Sequence, residues 1–246
     1  MAKILYAKVT PFLGITKVIK AAIFDMDGLL IDSERIIMQA CIAAASEIGI
    51  TYTQAQYTQL IGRAGPDSTS RMIEQLNGVE NFNRVMQGLD ARLAEQNHCF
   101  PLKQGALELL QYYQANNIIC SVASSSPTHH ITQRLNQVGV LDFFSHVTSG
   151  QEVTHGKPSP DIYLHAIKKL GLKVEECIAF EDSETGARAA IAAGLKVVVV
   201  PDLLQPSEFV RGNCYQVVEG LQDWLSNYAW AQEPTLQRWL NHQLLS

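Results

Sequence analysis

Short, almost uncharged apolar runs recur along the chain, and each stops at a polar cluster. The first is Ala21-Ala22-Ile23-Phe24, which ends at Asp25-Met26-Asp27-Gly28. Runs at 118–123, 177–180 and 196–200, with a shorter one near 146–148, repeat the pattern. Apolar runs of this length without alternation predict strands buried on both faces, as in a parallel sheet. Between them the period changes to that of a helix. The spacing predicts helices over 105–116, 128–138, 161–170 and 185–193, with Gly139, Gly171 and Gly194 as stops after three of them. Strands alternating with ten-residue helices imply right-handed crossovers.

The stretch after the first strand breaks this rhythm. Asp32-Ser33 offers N-cap chemistry and Glu34 falls in a first helical turn. Ile36, Ile37, Ala40, Cys41, Ala44 and Ala45 follow at helical spacing up to Gly49. Further helices are predicted over 54–61, 68–76 and 81–96, and no strand. The expected architecture is a doubly wound α/β sheet, a Rossmann-like core made of 1–33 and 101–246, with an all-helical cap inserted at 34–100. The tail at 219–246 carries all three tryptophans, Trp224, Trp230 and Trp239. Packing onto the core is the expectation there, with a dimer contact as the alternative; monomer and homodimer both stay open.

Composition narrows the function classes. A net charge of -5 argues against a general nucleic-acid binder, which normally carries a basic face. No apolar run is long enough to cross a membrane. The first twenty residues hold four lysines and no acid, but Lys8 and Pro11 interrupt the run that a secretory signal needs. An extra strand or a loose arm is expected there. The five cysteines are widely spaced and form no C-x-x-C, which fits a reducing cytoplasm.

The candidate chemistry lies where the strands stop. Asp25 and Asp27 are close carboxylates, which repel unless a cation or a proton intervenes. Ser124 and Ser125, in Ser124-Ser125-Ser126-Pro127, can meet an anion with a hydroxyl and with the N–H groups that open the next helix. Lys157, in Gly156-Lys157-Pro158-Ser159-Pro160, supplies a compact positive charge. Glu181-Asp182 adds carboxylate oxygens, and an all-oxygen cluster favours Mg²⁺. Gly62-Arg63-Ala64-Gly65-Pro66 breaks the helical insert and is either a plain turn or a loop that offers Arg63 to an anionic substrate. Taken singly, each of these is an ordinary turn, cap or surface lysine. Their joint placement after apolar strands is what carries weight.

With these pieces in order, the sequence resembles the haloacid dehalogenase-like phosphatase superfamily, in its β-phosphoglucomutase-like branch with a small helical cap. The resemblance runs from Ala21 to Val200 and rests on Phe24-Asp25-Met26-Asp27-Gly28, Ser124, Gly156-Lys157-Pro158-Ser159-Pro160-Asp161, and Glu181-Asp182-Ser183 with Gly186 and Ala193-Gly194. It implies Asp25 as nucleophile, Asp27 as general acid and base, and Mg²⁺ on Asp25, the Asp27 carbonyl and Asp182. Glu181 would support that ion from outside its first ring of ligands, and Ser124 and Lys157 would hold the phosphoryl oxygens. The mutases of this branch use a cap lysine and an early cap histidine. Here 34–100 contains no lysine, and Arg35-Ile36-Ile37-Met38 stands where the histidine would be. The mutase cap arginine falls on Gly65. The expectation is therefore a Mg²⁺-dependent phosphatase of a small phosphorylated metabolite. A hexose-phosphate mutase is the runner-up, and a catalytically silent phosphosugar-binding module the alternative of another class.

Overall fold

The computed structural model describes residues 19–61, 65–95 and 97–232, with only the backbone at 65–67 and 228–232. The predicted arm up to residue 18 and the tail beyond 232 lie outside them. The first strand, β1 (Ala21–Phe24), is followed by four helices, α1 (Ser33–Glu47), α2 (Gln54–Thr58), α3 (Gly65–Gln75) and α4 (Val79–Glu95). Then come α5 (Ala106–Ala115), β2 (Ile119–Ser124), α6 (Thr128–Gln137), β3 (Phe144–Ser149) and α7 (Asp161–Leu170). The chain continues through β4 (Cys177–Glu181), α8 (Glu184–Ala192), β5 (Lys196–Val199), α9 (Glu208–Asn213), β6 (Gln216–Val217) and α10 (Leu221–Gln232).

All six strands pair in parallel, in the order β3-β2-β1-β4-β5-β6. The period of two sends Ala22 and Phe24 of β1 to one face of the sheet and Ala21 and Ile23 to the other, and all four are fully buried. On the first face Phe24 shares one buried cluster with Leu109, Tyr113, Ile131 and Trp224 from α5, α6 and α10. On the second, Ile23 shares a buried cluster with Tyr163, Ala166, Ala187 and Ala190 from α7 and α8. The strand order reverses beside β1, the kind of crevice where ligands of open α/β sheets bind. Phe24 is level with Val122 of β2 and Phe180 of β4, so one residue further on Asp25 comes level with Ala123 and with Glu181.

The helices between β1 and β2 pack mainly as α1 against α4. They come close at Gly88, where an added Cβ would stand 3.0 Å from the Ala44 Cβ. Cys41, Ala44 and Ala45 of α1 and Val85, Leu89 and Leu93 of α4 are buried around it. The two connections to the sheet run side by side: Asp32 N donates to Pro101 O at 2.9 Å and Lys103 N to Leu30 O at 2.8 Å. Asp202, after β5, accepts from Lys103 Nζ at 2.7 Å and Arg35 Nη2 at 2.8 Å, tying both connections to the core.

Several local expectations change. Asp32 occupies the N-cap position of α1, with ψ 56 rather than extended, and makes no capping bond; its carboxylate lies 3.6 and 3.7 Å from Lys103 and Arg35. α3 begins at Gly65, with Pro66 in the first turn, where a missing N–H is harmless. The short β6 and α9 were not anticipated. Trp224 packs into the core, its Nε1 donating to Tyr113 Oη at 2.9 Å. Trp230 and Trp239 fall outside the described side chains. Among the described residues no helix is long and apolar enough to cross a membrane. All five cysteines are free thiols.

Candidate active site

The strand ends bring four predicted residues together. Asp25 continues β1, its N–H donating to Phe180 O at 3.0 Å, which sets it beside Glu181 at the end of β4. Lys157 reaches in from the loop after β3 with its side chain only 6% exposed. Its Nζ donates to Asp25 Oδ1 at 2.5 Å, to Glu181 Oε1 at 2.6 Å and to Ala123 O at 3.1 Å. Asp182 completes the group, and ligand oxygens of Asp25, Glu181 and Asp182 all lie within 4.8 Å of one another. Glu181 is fully held by the protein. Tyr163 Oη donates to Oε1 at 2.6 Å, and Ser183 Oγ donates to Oε2 at 3.1 Å. Two glycines make room. Gly28 has φ +88, and a Cβ there would run into the Asp182 carboxylate, 3.0 Å from its Cγ. A Cβ on Gly186 would overlap the carboxylate of Glu181.

Electrostatics follows from counting charges. Among the described residues, three carboxylates face one ammonium, so full ionisation would leave two of these negative charges uncompensated. Burial pushes the Asp25 carboxyl up to about 7, Lys157 opposing this and Glu181 and Asp27 adding to it. Burial also drives Asp182 well above the usual carboxylate range, with Asp25 and Glu181 reinforcing it. Burial works against the Lys157 ammonium, yet Asp25 and Glu181 outweigh it and hold its pKa above the ordinary value. Asp182 Oδ1 is buried without a hydrogen-bond partner among the described residues. An orphaned oxygen, an excess of two negative charges and an all-oxygen donor set fit a hard divalent cation.

Asp27 is held apart from this cluster by donors that the sequence did not single out. Its Oδ1 accepts from Ser33 Oγ at 2.7 Å and from Arg134 Nη1 at 2.6 Å, and its Oδ2 accepts from Ser126 Oγ at 2.9 Å. Ser124 is buried at the end of β2, where its Oγ accepts from Ser126 N at 3.1 Å, while the Ser125 side chain is exposed. Gly62 and Arg63 lie outside the described residues. A cleft of about 360 Å³ borders the cluster through Asp182 and Ser183 and is lined further by Glu34, Ile61, Asp202 and Leu204.

Fold and site together define a doubly wound α/β protein with an acid-rich centre at the carboxyl edge of its sheet. The sequence profile of the haloacid dehalogenase-like hydrolases matches residues 22–200, and the chain belongs to that family. Among curated relatives, the phosphorylated carbohydrates phosphatase of Thermotoga maritima is 29% identical over 180 residues, 72% of this chain and 82% of that one. Hexitol phosphatase B of Escherichia coli K12 is 29% identical over 193 residues, 74% and 84% of the two chains. The crystal structure of CbbY from Rhodobacter sphaeroides, solved in complex with phosphate, superposes with a TM-score of 0.66 at 23% identity and covers 85% of this chain and 99% of its own. The β-phosphoglucomutase of Clostridium difficile gives 0.65 at 22%, covering 93% and 100%. At these identities the two structures share the fold.

Proposed function

We propose that this phosphoric monoester hydrolase removes phosphate from a sugar phosphate or sugar-alcohol phosphate through an aspartyl-phosphate on Asp25, with Mg²⁺ as cofactor. One observation carries the reading: a buried carboxylate at the end of β1 is aimed by a buried lysine, beside two more carboxylates and within two residues of Asp27. The names of the two phosphatase relatives support the substrate class.

Asp25 attacks phosphorus, and the bond to the leaving oxygen breaks as Asp27 delivers a proton to that oxygen. Asp27, now a carboxylate, takes a proton from the water that attacks the phosphoryl group. The bond from Asp25 to phosphorus breaks, inorganic phosphate leaves and Asp25 is regenerated. Lys157, together with Ser124 and the N–H groups after it, stabilises charge on the phosphoryl oxygens. Asp25, the Asp27 carbonyl and Asp182 would hold Mg²⁺, with Glu181 fixing Lys157 and supporting the ion from behind. When bound, the ion screens the nucleophile from the phosphate and neutralises developing charge. Residues 34–100 act as the cap that shapes the pocket.

A phosphate-release screen over hexose, hexitol and other small phosphate esters, with and without Mg²⁺, tests the reading. It predicts metal-dependent release from polyol or sugar esters. Conversion of β-glucose 1-phosphate to an isomer without phosphate release would point to the mutase instead.

A further inference from the structure

We propose that Arg134 is a positioning residue that selects which oxygen of Asp27 exchanges the proton. The inference rests on the reading of Asp27 as the proton-transfer group. A carboxylate oxygen accepts about two hydrogen bonds. Among the described residues, Oδ1 already takes two, from Ser33 and from the Arg134 guanidinium, while Oδ2 takes one, from Ser126. Oδ2 is thus the oxygen with room for a leaving group or a water.

Three features make this a built arrangement. Arg134 lies 107 positions from Asp27, near the end of α6, so only the tertiary fold unites them. It follows Ile131 by three positions and precedes Leu135, both fully buried, so helical periodicity turns it inward. Its guanidinium also sits 4.9 Å from the ring centre of Phe100, a buried side chain just before the chain re-enters the core. The arginine is gripped from both sides. Arg134 and Asp27 side chains are each 21% exposed, so water screens the pair only in part.

Without Arg134, Oδ1 keeps, among the described residues, only the Ser33 hydroxyl, and the carboxylate is held less firmly. Proton delivery to a sugar oxygen and proton removal from water should both suffer, but not attack on an ester whose leaving group departs as an anion. With p-nitrophenyl phosphate and Mg²⁺, Arg134→Met should release its first equivalent of nitrophenolate at close to the unchanged rate. Steady turnover should then fall about tenfold or more, part of the roughly 10²–10⁴-fold that such proton transfer supplies. KM should fall in step with kcat, leaving kcat/KM close to unchanged, and Arg134→Lys should recover part of the loss. A raised KM with intact kcat would instead make Arg134 a substrate contact and overturn the inference. So would loss of the first turnover together with the rest, or no effect at all. Asp27→Asn, run beside it, separates the two claims: if that variant shows no fast first turnover, the reading of Asp27 itself fails. If it does and Arg134→Met behaves like the unchanged enzyme, only the inference about Arg134 fails.

Discussion

At the residue scale, Lys157 balances the site. Its ammonium is the cation that touches both Asp25 and Glu181, and Glu181 is completely buried. Removing one partner of a buried ion pair leaves the other uncompensated, at about 3–5 kcal/mol. Lys157→Met should therefore lower unfolding stability by about that amount in chelator, measured by urea titration near pH 8. An unchanged midpoint would show that the carboxylates do not depend on the lysine. The individual acids, the lysine and the Ser124 strand end were legible because each follows an apolar run. The grip on Asp27 was not. Ser33 looked like cap chemistry, Ser126 belonged to a Ser-rich turn, and Arg134 was not singled out at all. The phase of α6 does carry a trace of it, since Arg134 shares the face of Ile131 and Leu135.

At the scale of elements, the strands of the α/β half and the helices between them were readable almost to the residue. Strands buried on both faces are marked by continuous apolar runs, and α7 matches its expected span of Asp161–Leu170. β6 escaped because two residues, Gln216–Val217, carry no pattern of their own; their place is set by pairing with β5. In the helical insert, propensity and spacing located four helices, but the α1–α4 contact depends on the match of Gly88 to Ala44, which only packing reveals. Gly88→Leu should overfill that contact and destabilise the protein by about 1–3 kcal/mol, seen as a lowered melting temperature. If melting is unaffected, the two helices are not closely seated there.

At the scale of the whole molecule, a sheet and a helical insert meet around one excess of negative charge. The register of β1 with β4 contributes to that excess by setting Asp25 beside Glu181. Asp202 binds both connecting segments, Arg35 on one and Lys103 on the other, so the insert and core are joined next to the site. A divalent cation that relieves the charge binds the folded state selectively. At one hundred times its dissociation constant it should add about 2.7 kcal/mol of stability. Mg²⁺ should thus raise the melting temperature and EDTA reverse it, and the shift should disappear in Asp182→Asn. A melting temperature indifferent to both would reject the metal assignment.

Covalent capture of Asp25 tests the central claim most directly. Asp27→Asn is mixed with ³²P-labelled p-nitrophenyl phosphate and Mg²⁺, quenched in acid, digested with trypsin and mapped. The account predicts label on the peptide spanning residues 21–35, abolished by adding Asp25→Asn. Label on another peptide, or none while nitrophenolate is still released, would contradict it.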